Sequence, residues 1–246
     1  MRIARIPLIA LVAIAALGCT KKPEAVKATD DGGITSGTTD PKPLVVPDSI
    51  KNAAYDYFGL GNDKLMTYTV KLNSAHLEAE GTQSVFLERV EDGSATFVIN
   101  RTGELTQVGI ETVRLDDKGV TMLDTSQGEI DGPALELPAD IQEGSEWTVD
   151  LTWNLGGKKI VSKTKNTAVG TETVETPAGK FDCLVVKVDL TGDITGSTNK
   201  QENGRYTTKS TMYWSKGVGL IKLEATTRLP NGENNSQYIR LKSIGE

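Results

Sequence analysis

Few side chains in this chain are of the kinds that usually catalyse reactions or bind metals. Among its 246 residues there is one histidine, His76, and there are two cysteines, Cys19 and Cys183. A Ser-His-Asp site needs a nucleophile beside the histidine, and no Gly-x-Ser-x-Gly motif marks one. One histidine and one thiol also cannot complete a tetrahedral zinc site. We therefore expect no catalytic residue, no metal and no cofactor, and we expect His76 to be structural or at the surface.

Cys19 is distinguished by the residues that precede it. The chain begins with a basic segment, 1–5, continues with the apolar run 6–17, and reaches Gly18-Cys19 just before Lys21-Lys22. This order predicts a cleavable export signal. The uncharged stretch is too short to cross a bilayer, because a spanning helix needs about 20 apolar residues.

The end of the apolar run, Ala15-Ala16-Leu17-Gly18-Cys19, resembles the lipobox of bacterial lipoproteins. The resemblance implies a signal peptide over residues 1–18 and an acylated Cys19, carrying chains such as palmitate, as the first mature residue. A single acyl chain binds a membrane only marginally, but two or three would give a stable anchor. Thr20 replaces the Asp that usually retains such proteins at the inner membrane, so the resemblance implies the outer membrane in a diderm host. An ordinary secretory signal with a chance cysteine is the alternative.

The charge balance excludes two classes of partner. Removal of residues 1–18 takes away two arginines, which leaves 25 basic and 33 acidic residues and a formal charge of −8. Binding to nucleic acid, or to anionic lipid head groups through a polybasic patch, needs the opposite sign. If Cys19 is acylated, Cys183 has no partner within the chain, so we expect no disulfide.

Residues 19–48 predict a disordered linker, because they are rich in Pro, Gly, Thr, Lys and Asp and poor in apolar side chains. The β-rich globular domain is expected over residues 49–246. At its start, Asp48 or Ser49 could cap a short helix that runs through Ile50 and Ala54 to Phe58 and ends at Gly59.

Beyond residue 64 the apolar period changes from that of a helix to that of a strand. Alternating stretches separated by turn residues such as Asp117-Lys118-Gly119 and Asn231-Gly232 predict about a dozen antiparallel strands. The alternating apolar faces are Met66/Tyr68/Val70/Leu72, Trp147/Val149/Leu151/Trp153/Leu155, Leu184/Val186/Val188/Leu190, Ile221/Leu223/Ala225 and Ile239/Leu241. The predicted fold is mainly β: a single curved antiparallel sheet, half-barrel or barrel-like, with one short N-terminal helix.

Trp147 and Trp153 are the candidate ligand-binding residues, since both lie on one face of a predicted strand. Such residues are usually core, but they could line an apolar cavity inside a curved sheet. The apolar neighbours of Cys183 predict a buried, unreactive thiol. The segment 124–132 offers spaced oxygen ligands but lacks the Glu of a calcium loop, so it is interpreted as a polar loop.

Several phrases together resemble a family of uncharacterised exported β-rich bacterial proteins. They are Tyr57-Phe58-Gly59-Leu60-Gly61-Asn62, Gly144-Ser145-Glu146-Trp147, Pro177-Ala178-Gly179-Lys180-Phe181 and Trp214-Ser215-Lys216-Gly217-Val218-Gly219. The family's usual Pro and Trp are absent from the first phrase. The sheet pattern is similar to the half-barrel of lipoprotein carriers, in which a curved sheet shelters acyl chains, and this similarity implies fold but not function.

The leading functional hypothesis is a non-catalytic, lipid-anchored envelope lipoprotein that binds an apolar or amphipathic ligand on the concave face of the sheet. Its partners would be the membrane, through Cys19, and a lipid or other apolar ligand. The alternative is an envelope interaction protein that binds another protein or a cell-wall polymer. A hydrolase would need a pair of acids or a poised Ser in a cleft, which the sequence does not identify.

Overall fold

The structure, a computed structural model, describes residues 44–72 and 78–245. Thirteen strands in this part of the chain form one sheet. The same part of the chain contains one α-helix, α1 (Ala53–Phe58). The strands are β1 (Met66–Leu72), β2 (Ala79–Glu91), β3 (Ser94–Gly103), β4 (Glu111–Asp116), β5 (Gly119–Thr125), β6 (Glu129–Asp131), β7 (Ala134–Pro138), β8 (Glu146–Leu155), β9 (Lys158–Thr176), β10 (Gly179–Thr195), β11 (Gly204–Ser215), β12 (Gly219–Arg228) and β13 (Asn234–Ile244). Short 3-10 turns occupy Asp48–Ile50, Glu104–Gln107 and Lys200–Glu202. The predicted mainly β fold with one short helix is confirmed.

The strands follow the order β6-β8-β9-β10-β11-β12-β13-β1-β2-β3-β4-β5-β7, and neighbours are antiparallel. The two edge strands, β6 and β7, are consecutive in the chain and are joined only by Gly132-Pro133. The edges therefore lie close together, and β7 contacts β8 while β5 contacts β6. We call this meeting of the two edges the seam. It makes the open sheet barrel-like, as the sequence predicted.

The inner face of the sheet is built by the expected alternation. In β9, for example, Ile160, Ser162 and Thr164 are buried, whereas Lys163 and Lys165 are exposed. The interior is largely filled, and its largest fully buried side chains are Tyr68, Tyr206, Phe97, Met66, Ile99, Leu115, Met122, Leu137, Ile160, Leu184, Leu190 and Ile194. Within the described ranges, no helix has the length and apolar character that crossing a bilayer requires.

Helix α1 begins later than the sequence indicated. Residues 48–50 form a 3-10 turn, and the side chain of Asn52, not that of Asp48 or Ser49, caps the helix by accepting a hydrogen bond from the Tyr55 amide at 3.2 Å. The same Asn52 side chain donates to the Asp116 carbonyl at 2.9 Å. A contact with the sheet therefore holds Asn52 in the capping position. The local sequence does not show this contact. The predicted end is confirmed, because Gly59 is left-handed, with φ of 73°.

The long β9–β10 hairpin covers part of the outer face. Its strands bulge between Val185 and Val186, and its tip reaches across to β13, where Arg240 donates a hydrogen bond to the Glu175 carbonyl. Val185 and Tyr213 lie in the same cross-strand row as Arg240, and both are buried although this row points outward. The tip therefore forms a local second layer over the sheet.

Candidate functional site

A cavity remains inside the sheet at the end where α1 packs. Its apolar lining is Phe58, Leu105, Val108, Met212, Trp214, Leu220, Leu223 and Ile239. Its polar lining is Tyr68, Gln83, Arg101, Glu111 and Glu136. The space between these side chains is about 600 Å³ including the mouth, but only about 50 Å³ of it is wide enough for the centre of a water molecule. The cavity is therefore narrow.

The apolar wall depends on the junction between α1 and the β11–β12 turn. The ring of Phe58 stacks on that of Trp214, with centroids 5.4 Å apart and planes inclined by 20°. This contact needs a close backbone approach, because a Cβ on Gly59 would lie 2.5 Å from the Val218 carbonyl oxygen. A Cβ on Gly219 would lie 2.9 Å from the Phe58 carbonyl oxygen. Glycines on both sides of the junction therefore allow the helix to close this end of the cavity.

The opposite side of the cavity is a polar cluster centred on Arg101, at the end of β3. Its Nε donates to Gln83 Oε1 at 2.8 Å, and its Nη1 donates to the Gly109 carbonyl at 3.0 Å. The same Nη1 lies 3.0 Å from Glu111 Oε1 on β4. The side chains of Arg101 and Glu111 are 8% and 3% exposed, so this is a buried ion pair.

Glu136, on the edge strand β7, adds a second carboxyl group to the cluster. It is partly buried, faces the cavity, and forms no hydrogen bond or ion pair with the described residues. Burial, followed by the charge of Glu111, raises the pKa of Glu136 to about 8, although Arg101 opposes the shift. Burial likewise raises the pKa of Glu111 to about 7 against the opposing charge of Arg101. One guanidinium thus serves two carboxyl groups in a poorly solvated space.

Two buried polar atoms of the cavity lining lack hydrogen-bond partners among the described residues. They are the indole Nε1 of Trp214 and Oε1 of Glu111, which contacts Arg101 only as an ion pair. Tyr68 differs, because its hydroxyl donates to the Leu220 carbonyl at 3.0 Å. Burial raises the pKa of Tyr68 far above its ordinary value, so the phenol stays neutral. Buried polar groups are normally paired, so the indole N–H of Trp214 is the donor of the lining that a polar group of a ligand could engage.

The residues singled out by sequence occupy other places. Trp147 and Trp153 share one face of β8, with Trp153 2% exposed and Trp147 partly buried, but neither lines this cavity. The indole nitrogens of both are buried without a partner in the described chain. Cys19 and His76 lie outside the described residues.

Cys183 is fully buried, as the sequence predicted, and its thiol donates to the Phe181 carbonyl at 3.4 Å. Burial, helped by Asp182, raises the pKa of Cys183 to about 11, so the thiol is not activated as a nucleophile. No group of three or more His, Cys, Asp or Glu side chains in the described ranges is arranged to hold a metal ion.

The polar cluster was not predicted from the sequence, although the sequence contains part of the pattern that marks it. Ala95, Phe97 and Ile99 form an inward stripe that Arg101 continues, and Glu111 begins the inward stripe of β4. A charged residue that extends an apolar stripe predicts a buried charge. No comparable signal marks Glu136, because a bulge interrupts the pairing of β7 with β5.

Comparison with known proteins agrees with this architecture. The protein family described as DUF3108-like matches residues 65–236, which is more than half of the chain. No curated protein matches. A candidate exported protein with a YmcC-like fold from Bacteroides fragilis is 16% identical with a TM-score of 0.53, over 78% of this chain and 99% of that one. A candidate lipoprotein from Parabacteroides distasonis is 16% identical with a TM-score of 0.51, over 77% and 98% of the two chains. At this identity the likeness concerns the fold.

Proposed function

This chain belongs to the DUF3108-like family, and we propose that it is a non-catalytic, lipid-anchored lipoprotein of the cell envelope. In this proposal it binds an apolar or amphipathic ligand on the concave side of its sheet. The observation that carries the proposal is the cavity, which has one apolar wall and one polar end. Ligand pockets commonly combine an apolar lining with a few converging polar groups.

The anchoring part of the proposal rests on the start of the chain. Gly18-Cys19 follows an apolar run, in the order of a lipobox. Two proteins of similar fold are described as a candidate exported protein and a candidate lipoprotein, which supports the same location. The mature chain would then face the periplasm or the exterior, on the outer membrane of a diderm host, with residues 19–48 as a linker and residues 49–246 as the folded domain.

The absence of catalysis is proposed from the chemistry of the cavity lining. Arg101, Glu111 and Glu136 are its charged groups, and the described part of the chain places no serine, threonine, cysteine or histidine beside them in the lining. Arg101 is already engaged by Gln83 and by Glu111. A binding role therefore fits this set better than nucleophilic chemistry.

Mass spectrometry of the mature amino terminus tests the anchor. Protein from its own host should begin at Cys19 and carry acyl chains, because the lipobox resemblance implies both cleavage after Gly18 and acylation of Cys19. Cys183→Ala is the matched control and should leave this terminal peptide unchanged, since Cys183 is buried. A mature protein that begins at another residue, or that carries no lipid, would remove the anchoring part of the proposal.

Native mass spectrometry tests the cavity. Protein purified from its host should carry a bound amphipath, and Val108→Phe should remove it, because Val108 lines the narrow space. Val161→Phe adds the same ring on the exposed face of β9 and should retain the ligand. An empty wild-type protein, or equal occupancy of both variants, would contradict ligand binding in this cavity.

One observation favours the alternative of a protein or cell-wall polymer partner. A shallow groove crosses the outer faces of β10 to β13, with an exposed lining of Lys187, Asp189, Lys209, Glu224 and Thr226 and the partly exposed Thr211 and Tyr238. The ring of Tyr238 lies near the ammonium groups of Lys71 and Lys222, at 5.9 and 6.0 Å. Co-sedimentation with purified peptidoglycan that is lost in Tyr238→Ala would support this alternative. Unchanged sedimentation of that variant would count against it.

A further inference from the structure

The polar end of the cavity has one carboxyl group more than it has cations. Arg101 faces both Glu111 and Glu136, and it is the basic side chain of the lining. We propose that this end selects amphipaths whose head group carries a protonated amine, which pairs with Glu136, over amphipaths with a carboxylate head group. The inference rests on the proposed function, because it concerns the ligand of the same cavity.

Arg101 is a poor receptor for an anionic head group because its positive charge already faces two carboxyl groups. Nε is bound to Gln83, and Nη1 serves both the Gly109 carbonyl and Glu111. A ligand carboxylate would therefore meet a guanidinium that is already neutralised by Glu111, and it would gain no new cation. Whenever Glu111 or Glu136 is ionised, like charges at short range in a poorly solvated space repel, so such a head group is disfavoured.

Glu136 has the opposite properties. Its carboxyl group has no hydrogen bond or ion pair to the described residues, whereas Oε1 of Glu111 already lies 3.0 Å from Nη1 of Arg101. An ammonium group offers three N–H donors and one positive charge. It could therefore supply the missing donors and the missing charge at once, while its chain lies along the wall formed by Phe58, Trp214 and Leu223.

The other elements that surround Glu136 contribute no competing cation within residues 44–72 and 78–245. From β1, Tyr68 is committed to the Leu220 carbonyl. A smaller space on the other side of Glu136 is lined from β8 and β9 by uncharged residues, Val149, Leu151, Thr164 and Asn166. The lining from α1, β11, β12 and β13 is uncharged as well. The titratable groups that face Glu136 are thus Arg101, Glu111 and the neutral Tyr68.

Proton release gives the proposal a distinctive pH dependence. In the empty cavity Glu136 is mostly protonated at neutral pH, since its pKa is raised to about 8. Pairing with an ammonium requires the ionised carboxylate, so binding displaces a proton. Affinity for an amine should therefore rise as the pH increases from 6 to 9, whereas affinity for an alcohol of equal chain length should change little.

The test compares dodecylamine, dodecanol and dodecanoate by isothermal titration calorimetry at pH 7.5, below their aggregation concentrations. The protein is the whole mature chain with Cys19→Ser. Dodecylamine should bind about tenfold tighter than dodecanoate, because its ammonium group forms a charge-assisted hydrogen bond with Glu136 that a carboxylate head group cannot form. Glu136→Gln should remove this preference and leave dodecanol binding within about twofold. Glu143→Gln, an exposed acid outside the lining, is the matched control.

The outcomes separate the two proposals. If none of the three probes binds, the proposed function fails. If dodecanoate binds as tightly as dodecylamine, or Glu136→Gln keeps the amine preference, the present inference is wrong while the cavity remains a binding site. Should Glu136→Gln not fold, the wild-type pH series decides, and a flat amine-to-alcohol affinity ratio between pH 6 and 9 overturns the inference.

Discussion

At the scale of single residues, Arg101 links the chemistry of the cavity to the stability of the fold. It joins β2, β4 and the loop after the 3-10 turn Glu104–Gln107 through bonds to Gln83, Glu111 and Gly109. Glu111 and the Gly109 carbonyl would otherwise be buried polar groups without compensation. The cluster is thus both the polar end of the candidate site and an internal brace of the sheet.

Arg101→Leu should lower the free energy of unfolding by about 3–5 kcal/mol, because it leaves the carboxyl groups of Glu111 and Glu136 without a cation. Urea denaturation followed by tryptophan fluorescence measures the loss. The double variant Arg101→Leu/Glu111→Leu should recover part of it, since it also removes the stranded acid. A single variant as stable as the wild type would show that the pair is not buried in solution.

Stability should also fall as the pH rises. The folded-state pKa values of Glu111 and Glu136 are raised to about 7 and about 8 from an ordinary 4.5. The folded protein therefore binds more protons than the unfolded chain between these values, and stability is lost as the pH increases through them. Urea midpoints at pH 5 and pH 8.5 should show this decrease, and Glu136→Gln should make it shallower. An increase over this range would contradict the assigned environments.

At the scale of elements, α1 and the β11–β12 turn form one unit that closes the cavity. Gly59 and Gly219 let the two backbones touch, and Phe58 then reaches Trp214. The phrases around Tyr57-Phe58-Gly59 and Trp214-Ser215-Lys216-Gly217 are far apart in sequence but meet here. The glycines in these two phrases allow the chain to turn, and they also allow the two backbones to pack closely.

Gly59→Ala should destabilise the protein more than Gly217→Ala. Both glycines are left-handed, with φ of 73° and 72°, so both substitutions carry a backbone cost of about 1–3 kcal/mol. Only Gly59→Ala adds a clash, with the Val218 carbonyl 2.5 Å from the new Cβ, whereas nothing lies within 4 Å at Gly217. Thermal unfolding of the two variants measures the difference. Equal losses would mean that the junction is not closely packed.

At the scale of the whole molecule, the sheet is held together by a pairing between the two ends of the folded chain. β13 pairs with β1 on one side and with β12 on the other. The edges of the sheet meet at the seam through a two-residue connection. Closure of this kind protects edge strands from pairing with other molecules.

Deletion of Asn234–Glu246 should abolish cooperative unfolding, because both β1 and β12 lose their partner and the sheet opens at its centre. The near-ultraviolet circular dichroism of the tryptophans should be lost with it. Deletion of Thr20–Asp40, in the predicted linker, is the control and should leave the urea midpoint unchanged. A cooperative transition in the shortened chain would show that the two halves of the sheet fold independently.

The sequence alone determined the architecture of this protein, because the period of apolar side chains is a local property. The alternation in residues such as Met66/Tyr68/Val70 and Ile239/Leu241 was enough to predict a curved antiparallel sheet, and the apolar neighbours of Cys183 were enough to predict its burial. Tertiary structure decided the cavity, since its lining joins α1 to strands from both halves of the sheet. It also decided that Trp214 rather than Trp147 or Trp153 lines the cavity. Glu136 faces inward at a bulge in the pairing of β7 with β5. A shift of one residue in the register exchanges the two faces of a strand. The inward position of Glu136 therefore depends on a register that no local sequence pattern encodes.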